Sequence, residues 1–259
     1  MTRLRQVALP IVVLPLCLVL ACGGGDKPSN VAIATTGPSA TSAASDKPPT
    51  SGGQATPSGP VQTSNEAVSF AAPDGVTIKG HFYSAPGPKR RALIIASAAD
   101  QKTWQQYASQ LAAQGVALLT FDERGVGETG GARNDAQMDK DLGIAVQLVK
   151  SRDYPLVYVF SVGAEPGVAA IKVAAREDLA GLATYSAGAA GRADIAGVKE
   201  AKLFMAPEAN SEATAAVNTL AQAAAEPIRR VVLSTNPSGN DPLTSPQAKQ
   251  ALFDFVTGK

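Results

Sequence analysis

Histidine is almost missing from this chain: His81 is the only one among 259 residues. Histidine is the side chain that most often moves protons near neutral pH, so any histidine-dependent catalysis would have to use His81. His81 lies in an alternating segment and has no partner motif beside it, which favours a surface or half-buried packing role. No histidine follows it, and this limits the chemistry that the remaining residues can perform.

The chain also has few cysteines, and its positive and negative charges nearly balance. Both cysteines, Cys17 and Cys22, lie near the N-terminus, and 23 lysine and arginine residues face 22 aspartate and glutamate residues. No basic stripe with interleaved aromatic residues is visible, which excludes a nucleic-acid footprint and a strong electrostatic pull toward anionic lipid. No ligand spacing points to a metal, and no cofactor is predicted.

The first residues have the pattern of a secretory signal. Arg3 and Arg5 precede an apolar run, residues 7–20, which two prolines interrupt. The run is too short for a transmembrane helix and suits a cleaved signal. It ends V-L-A-C at residues 19–22, which resembles the lipobox of bacterial lipoproteins.

That resemblance implies removal of residues 1–21 and acylation of Cys22, which would anchor the chain to a membrane through its lipid. The expected location is the bacterial cell envelope, on the periplasmic face of the outer membrane or on the cell surface. Cys17 would leave with the signal, so no disulfide could form. The alternative is an ordinary signal peptide with an incidental cysteine.

Composition divides the remainder in two. Residues 22–64 are rich in Gly, Ser, Thr, Pro and Ala and contain no aromatic residue. Such a segment cannot bury enough apolar surface to offset its chain entropy, so a disordered tether is predicted. Residues 65–259 have a globular composition, and their length suits one domain with a sizeable core.

The globular part alternates strands and helices after an initial hairpin around P-D-G at residues 73–75. This order predicts a three-layer α/β/α sandwich with a mostly parallel sheet of about eight strands. Strands are predicted at 67–71, 76–83, 92–97, 116–121, 156–162, 182–185, 202–205 and 228–233. Helices are predicted at 103–114, 135–151, 167–175, 211–225 and 246–256, the last with Ser245 as N-cap and Pro246 at its first position.

A motif follows the strand at 116–121. Residues 121–131 read F-D-E-R-G-V-G-E-T-G-G, which is similar to the D-x-R-G-x-G-x-S turn after strand four of α/β-hydrolases. With the element order, it makes residues 65–259 resemble a small serine esterase or dienelactone-hydrolase-like member of that family. The short segment between residues 185 and 202 leaves no room for a cap domain. The resemblance implies a nucleophile, an acid and a histidine in that chain order.

The nucleophile position departs from the family's G-x-S-x-G. Residues 160–170 read F-S-V-G-A-E-P-G-V-A-A. One register puts Glu165 in the serine place, and a second, which suits the helix length better, puts Gly163 there. A third puts Ser161 there, but Val159 then replaces the first glycine of the motif and the fifth strand becomes short. The three registers remain open at this point.

The other catalytic positions depart as well. Asn210 or Ala209 stands where the resemblance places the acid, and Ser238, in P-S-G-N-D, stands where it places the histidine. The loop after the third strand, residues 96–100, lacks the His-Gly pair that contributes to an oxyanion hole. The resemblance therefore predicts no working Ser-Asp-His triad.

Surviving polar residues also have structural interpretations. Glu165 suits a helix N-terminus, where acidic groups are favoured. Asp122 and Arg124 are expected to pin the turn after the fourth strand, because buried charges need partners. Ser186, in T-Y-S-A-G, is expected to be a turn residue. Glu208 and Asp241, with Glu165, could approach one another, but no spacing supports a metal site.

Three functions remain possible from the sequence. The favoured one is a lipid-anchored pseudoenzyme that binds an unidentified small molecule or protein in the cell envelope. The alternative is an active carboxylic-ester hydrolase with an unusual site. A third is an envelope scaffold whose fold serves only as a stable body.

Overall fold

The computed structural model describes residues 63–234 and 241–259. The described part begins with the predicted hairpin, β1 (Ser64–Ala71) and β2 (Thr77–Ser84), which pair antiparallel. Its turn contains Gly75 at φ +86°, a conformation that glycine adopts without steric cost. The P-D-G prediction is confirmed.

Six further strands complete the sheet: β3 (Arg91–Ser97), β4 (Val116–Phe121), β5 (Leu156–Val162), β6 (Gly181–Tyr185), β7 (Ala201–Pro207) and β8 (Ile228–Leu233). The strand order within the described part is β1-β2-β4-β3-β5-β6-β7-β8. Strand β2 pairs antiparallel with β4, and all pairs from β4 to β8 are parallel. The prediction of about eight mostly parallel strands is confirmed.

The helices are α1 (Gln105–Ala113), α2 (Met138–Lys150), α3 (Ala164–Ala174), α4 (Arg192–Ile195), α5 (Ser211–Ala223) and α6 (Pro246–Thr257). The hydroxyl of Ser245 accepts a hydrogen bond from the Ala248 amide at 3.4 Å, so the predicted N-cap of α6 is confirmed. The helix predicted from residue 167 begins three residues earlier, directly after β5. Between β6 and β7 there are only a 3-10 turn and α4, so no cap domain interrupts the described chain.

The core lies on both faces of the sheet. Successive strand residues point to opposite faces, so Ile94 packs in the cluster with α2, α3 and α5, while Leu93 and Ile95 pack in the cluster with α1 and α6. This confirms the three-layer sandwich. No helix within residues 63–234 and 241–259 has the length and apolar character to cross a membrane.

Candidate functional site

Four parallel strands open onto a cleft at one edge of the sheet. The residues at or just after the C-terminal ends of β3, β5, β6 and β7 line this cleft, whose volume is about 1090 Å³. Helices α3 and α5 begin there and supply two of its walls. Ligands of open α/β sheets bind outside the carboxyl ends of the strands, so the cleft is the candidate functional site.

Gly163 forms the sharp turn between β5 and α3 on the floor of the cleft. Its φ of +109° and ψ of 169° belong to a region that is essentially restricted to glycine. Its amide donates to the Tyr185 carbonyl at 2.9 Å, and its carbonyl accepts from the Gly167 amide at 3.0 Å. Of the three registers left open by the sequence, the one with Gly163 coincides with this strand-to-helix turn, where glycine offers no side chain for chemistry.

The other two registers lie on either side of that turn. Ser161 is inside β5, between Ala96 and Thr184 in the sheet register, and its hydroxyl is buried without a hydrogen-bond partner in the described part of the chain. Glu165 lies in the first turn of α3, half-exposed, with its carboxylate 3.7 Å from Arg133. Its position matches the expectation of an acidic group at a helix N-terminus.

Close packing fixes the floor of the cleft. A Cβ at Gly167, in α3, would lie 2.4 Å from the Cβ of Ala187, in the turn after β6. The Gly188 amide in the same turn donates to the Ala164 carbonyl at 3.1 Å. The beginning of α3 and the turn after β6 are therefore tied directly to each other.

Ser186 stands in that turn with an unusual backbone. Its φ is +55°, one of two positive values among described non-glycine residues, the other being Asp153 at +64°. The Ser186 amide donates to the Met205 carbonyl at 2.9 Å, and its side chain lines the cleft. Ser186 is thus the turn residue that the sequence predicted, but it is also a half-buried hydroxyl of the candidate site.

Asn210, predicted at the acid position, caps α5. Its side-chain oxygen accepts a hydrogen bond from the Ala213 amide at 3.0 Å, as N-cap residues do. On the opposite side, the hydroxyl of Ser97 at the end of β3 accepts from the Ala99 amide at 3.1 Å. Both side chains line the cleft, and both use an oxygen to hold the local backbone.

The turn after β4 is pinned as the sequence predicted. Asp122 is fully buried and accepts hydrogen bonds from the Gln101 amide at 2.7 Å, the Gln101 side chain at 3.0 Å and the Glu128 amide at 2.8 Å. Gly127, at φ +50°, leaves no room for a Cβ, which would lie 2.3 Å from an Asp122 carboxylate oxygen. The carboxylate therefore joins the loop after β3 to the loop after β4.

Arg124 holds the same turn from the other side. Its side chain is 5% exposed and donates to both oxygens of Asp141, at 2.6 and 2.8 Å. It also donates to both oxygens of Asp74 in the hairpin turn. Hydrogen bonds from Arg124 lower the pKa of Asp74, and those to Asp141 and Asp74 raise the pKa of Arg124.

Glu123, which lies between these two pinning residues, is a further polar residue of this region that the sequence pattern does not indicate. Glu123 is 8% exposed, and its Oε2 has no hydrogen-bond partner among the described residues. Burial raises the pKa of Glu123 from 4.5 to about 7, although nearby Arg133 offsets part of the rise. Nothing in the local sequence marks this burial, because the loop that covers Glu123 comes about ten residues later.

His81 is remote from the cleft floor. It lies on β2, which β4 and β3 separate from β5, and its Nδ1 is 2.8 Å from the side-chain oxygen of Asn65. It is half-exposed and does not line the cleft, as expected for a packing residue. The β1-β2 hairpin that carries His81 forms one edge of the described sheet, with β1 outermost.

Some predicted positions fall elsewhere. Ser238 and Cys22 lie outside the described residues. Asp241 caps a 3-10 turn by accepting a hydrogen bond from the Leu243 amide at 2.8 Å. In the described ranges, no group of three or more His, Cys, Asp or Glu residues is placed to hold a metal ion.

Comparison with known proteins supports the fold. No family model and no curated protein matches the chain. An acetyl xylan esterase from Paenibacillus sp. R4 superimposes with a TM-score of 0.63 at 15% identity, over 79% of this chain and 86% of that one. The chain has the α/β-hydrolase fold.

Two more structures of this fold are similar. The enol-lactonase from Burkholderia xenovorans LB400 has a TM-score of 0.61 at 13% identity, over 73% of this chain and its own whole length. The esterase domain of a Rhodothermus marinus protein has a TM-score of 0.58 at 16% identity, over 75% of this chain and 96% of that one. At such identities the likeness concerns the fold alone.

Proposed function

We propose that this chain is a non-catalytic ligand-binding member of the α/β-hydrolase fold, anchored in the bacterial cell envelope. The observation that carries the proposal is Gly163. It occupies the turn between β5 and α3, on the floor of a cleft of about 1090 Å³, and supplies no nucleophile there. The cleft is thus large enough for a small molecule, and the residue in the turn between β5 and α3 has no side chain that could act as a nucleophile.

The neighbouring polar residues support binding over hydrolysis. Ser161 is enclosed in β5, Glu165 faces Arg133, and Asn210 caps α5. A triad mechanism needs a base within hydrogen-bond reach of its nucleophile. His81 is the chain's single histidine and lies on β2, three strands from β5.

A ligand screen tests the proposed ligand binding. The purified chain in detergent is heated with a panel of carboxylic acids, esters and lactones, and binding should raise its melting temperature. Ala216 lines the cleft on α5, so Ala216→Trp should abolish the shift. Gln222→Trp, at an exposed site on the same helix, is the matched control and should keep it. A shift that survives in Ala216→Trp would place the ligand elsewhere.

An activity assay tests the proposed lack of catalysis. The positive φ of Ser186 and its place in the cleft make its hydroxyl the best candidate nucleophile for an active ester hydrolase, which is the alternative function. We expect a fluorophosphonate probe to leave the chain unlabelled and 4-nitrophenyl acetate hydrolysis to stay at background. Labelling that disappears in Ser186→Ala would establish the alternative.

The proposed membrane anchoring rests on the sequence. The V-L-A-C segment favours acylation of Cys22 after removal of residues 1–21, with residues 22–64 as a tether between the lipid and residues 65–259. Mass spectrometry of the N-terminal peptide should find a lipid-modified Cys22. Limited proteolysis should cut first within residues 22–64. An unmodified N-terminus, or strong protection of that segment, would contradict this part.

A further inference from the structure

A small cavity beside the cleft is lined by Glu123, whose Oε2 has no hydrogen-bond partner among the described residues. The cavity has a volume of about 10 Å³, enough for one water molecule at most, and Glu123 lines it with Arg124, Arg133, Asn134 and Asp141. Oε2 of Glu123 is buried there without a hydrogen-bond partner in the described part of the chain. An ionised carboxylate in such a place needs a nearby cation.

Arg124 cannot be that cation. Its Nε and both terminal nitrogens already donate to Asp141 and Asp74, in the bidentate geometry that Arg–carboxylate pairs favour. Moving Arg124 toward Glu123 would break the buried ion pair with Asp141 and the half-exposed one with Asp74, which hold the turn after β4 in place.

Arg133 is the cation that can change partners. It lines both the cavity and the cleft. Its side chain is 48% exposed, and it donates from Nε to Asp135 at 2.7 Å and lies 3.7 Å from Glu165. The carboxylates of Asp135 and Glu165 are 51% and 56% exposed, and ion pairs at such exposure contribute little to stability.

The charges that act on Glu123 oppose one another. Burial is the largest influence and raises its pKa, Arg133 lowers the pKa, and Asp135, Asp141 and Glu165 raise it. Arg133 is therefore the group whose approach would most favour the ionised form of Glu123.

We propose that Glu123 is a proton-binding group that sets the position of Arg133 and so the charge at the mouth of the cleft. While Glu123 is protonated, Arg133 stays outside with Asp135 and Glu165 and presents its guanidinium to the cleft. When Glu123 ionises, Arg133 turns inward to pair with it, and Glu165 is left facing the cleft without a partner. The mouth of the cleft should therefore favour anionic ligands at acidic pH, when the Arg133 guanidinium faces it, and disfavour them at alkaline pH, when the Glu165 carboxylate does. This inference concerns the free protein and does not depend on the proposed lack of catalysis.

Nuclear magnetic resonance of the isotope-labelled chain in detergent micelles tests the proposal between pH 5 and 9. The carboxyl carbon of Glu123 should titrate above its ordinary pKa of 4.5, and the inward pairing with Arg133 should keep the midpoint below the value of about 7 to which burial raises the pKa. The Nε resonance of Arg133 should move with the same midpoint. Glu123→Gln should abolish the Arg133 response. Glu128→Gln is the control and should keep it, because Glu128 is an exposed acid of the same turn, 3.5 Å from Lys102.

A second variant keeps the test decisive if Glu123→Gln fails to fold. Arg133→Gln removes the proposed partner, so the midpoint of Glu123 should rise by about one pH unit, a tenfold increase in proton affinity. An unchanged midpoint in Arg133→Gln would overturn the proposal. The proposal would also be overturned if the Arg133 resonance did not shift as Glu123 titrates, or if it still titrated in Glu123→Gln.

Discussion

Glu123 gives the sharpest stability prediction. Burial raises its pKa from 4.5 to about 7, so the folded chain holds this proton more tightly than the unfolded chain does. For a carboxyl whose pKa is raised by folding, the stabilising contribution is complete at acidic pH and is lost as the pH rises toward the folded pKa. Glu123→Gln cannot ionise and should not show this loss.

The size of the effect follows from the shift. The rise from 4.5 to about 7 corresponds to about 3 kcal/mol of unfolding free energy, lost between about pH 4.5 and pH 7. The inward turn of Arg133 proposed above would stabilise the ionised form of Glu123 and so reduce the loss. The Gln amide carries its own pH-independent packing cost. The measurable quantity is therefore the change with pH in the stability difference between variant and wild type.

Urea unfolding at pH 5, 6, 7 and 8 measures that change. The single tryptophan, Trp104, is 1% exposed and gives a fluorescence signal for loss of the core. We expect Glu123→Gln to gain up to about 3 kcal/mol relative to wild type between pH 5 and pH 8. Parallel pH profiles for the two proteins would refute the conclusion that Glu123 is buried as an acid with a raised pKa.

Three further predictions concern the backbone around the cleft. Gly127→Ala should cost about 2–4 kcal/mol in urea unfolding, since its Cβ would meet the buried Asp122 carboxylate; a loss below 1 kcal/mol would contradict that contact. Ser186→Gly and Asp153→Gly should each stabilise by about 0.5–1 kcal/mol by relieving a positive φ, but only Ser186→Gly should alter binding in the cleft. Asn210→Ala should cost about 1 kcal/mol through loss of the α5 cap, whereas Asn210→Asp should be nearly neutral, and equal losses would argue against capping.

Much of the fold was predictable because local patterns and tertiary packing agree. Strands β4, β5 and β8 have the predicted bounds. Strands β4 and β5 are short, largely apolar runs between turn signals, whereas β8 combines Val and Ile with two exposed arginines. The start of α6 was also predictable from neighbouring residues alone, because Ser245 is the N-cap and Pro246 the first helical residue. The start of α3 was placed three residues too late, although Glu165 and Pro166 both suit the first turn of a helix.

The site was less predictable, since it depends on contacts between distant residues. Asp122 and Arg124 were assigned correctly because a charge after a buried strand requires a partner, but their partners Gln101, Asp74 and Asp141 could not be deduced. The sequence left three registers around Gly163 open, and it did not show that Gly163 is the residue in the turn between β5 and α3. Glu123 was missed because its burial depends on a covering loop and on α2, neither of which leaves a signal beside it.

The contact between Gly167 and Ala187 has a consequence for how the cleft could recognise a ligand. Because α3 and the turn after β6 meet without room for a methyl group, this part of the floor is closely packed and should change little between different ligands. Induced fit is then confined to the α5 wall and the Arg133 side, and a ligand must match a preformed floor. A preformed floor loses little conformational entropy on binding, so affinity should depend on shape and vary steeply among ligands that differ by a single methyl group.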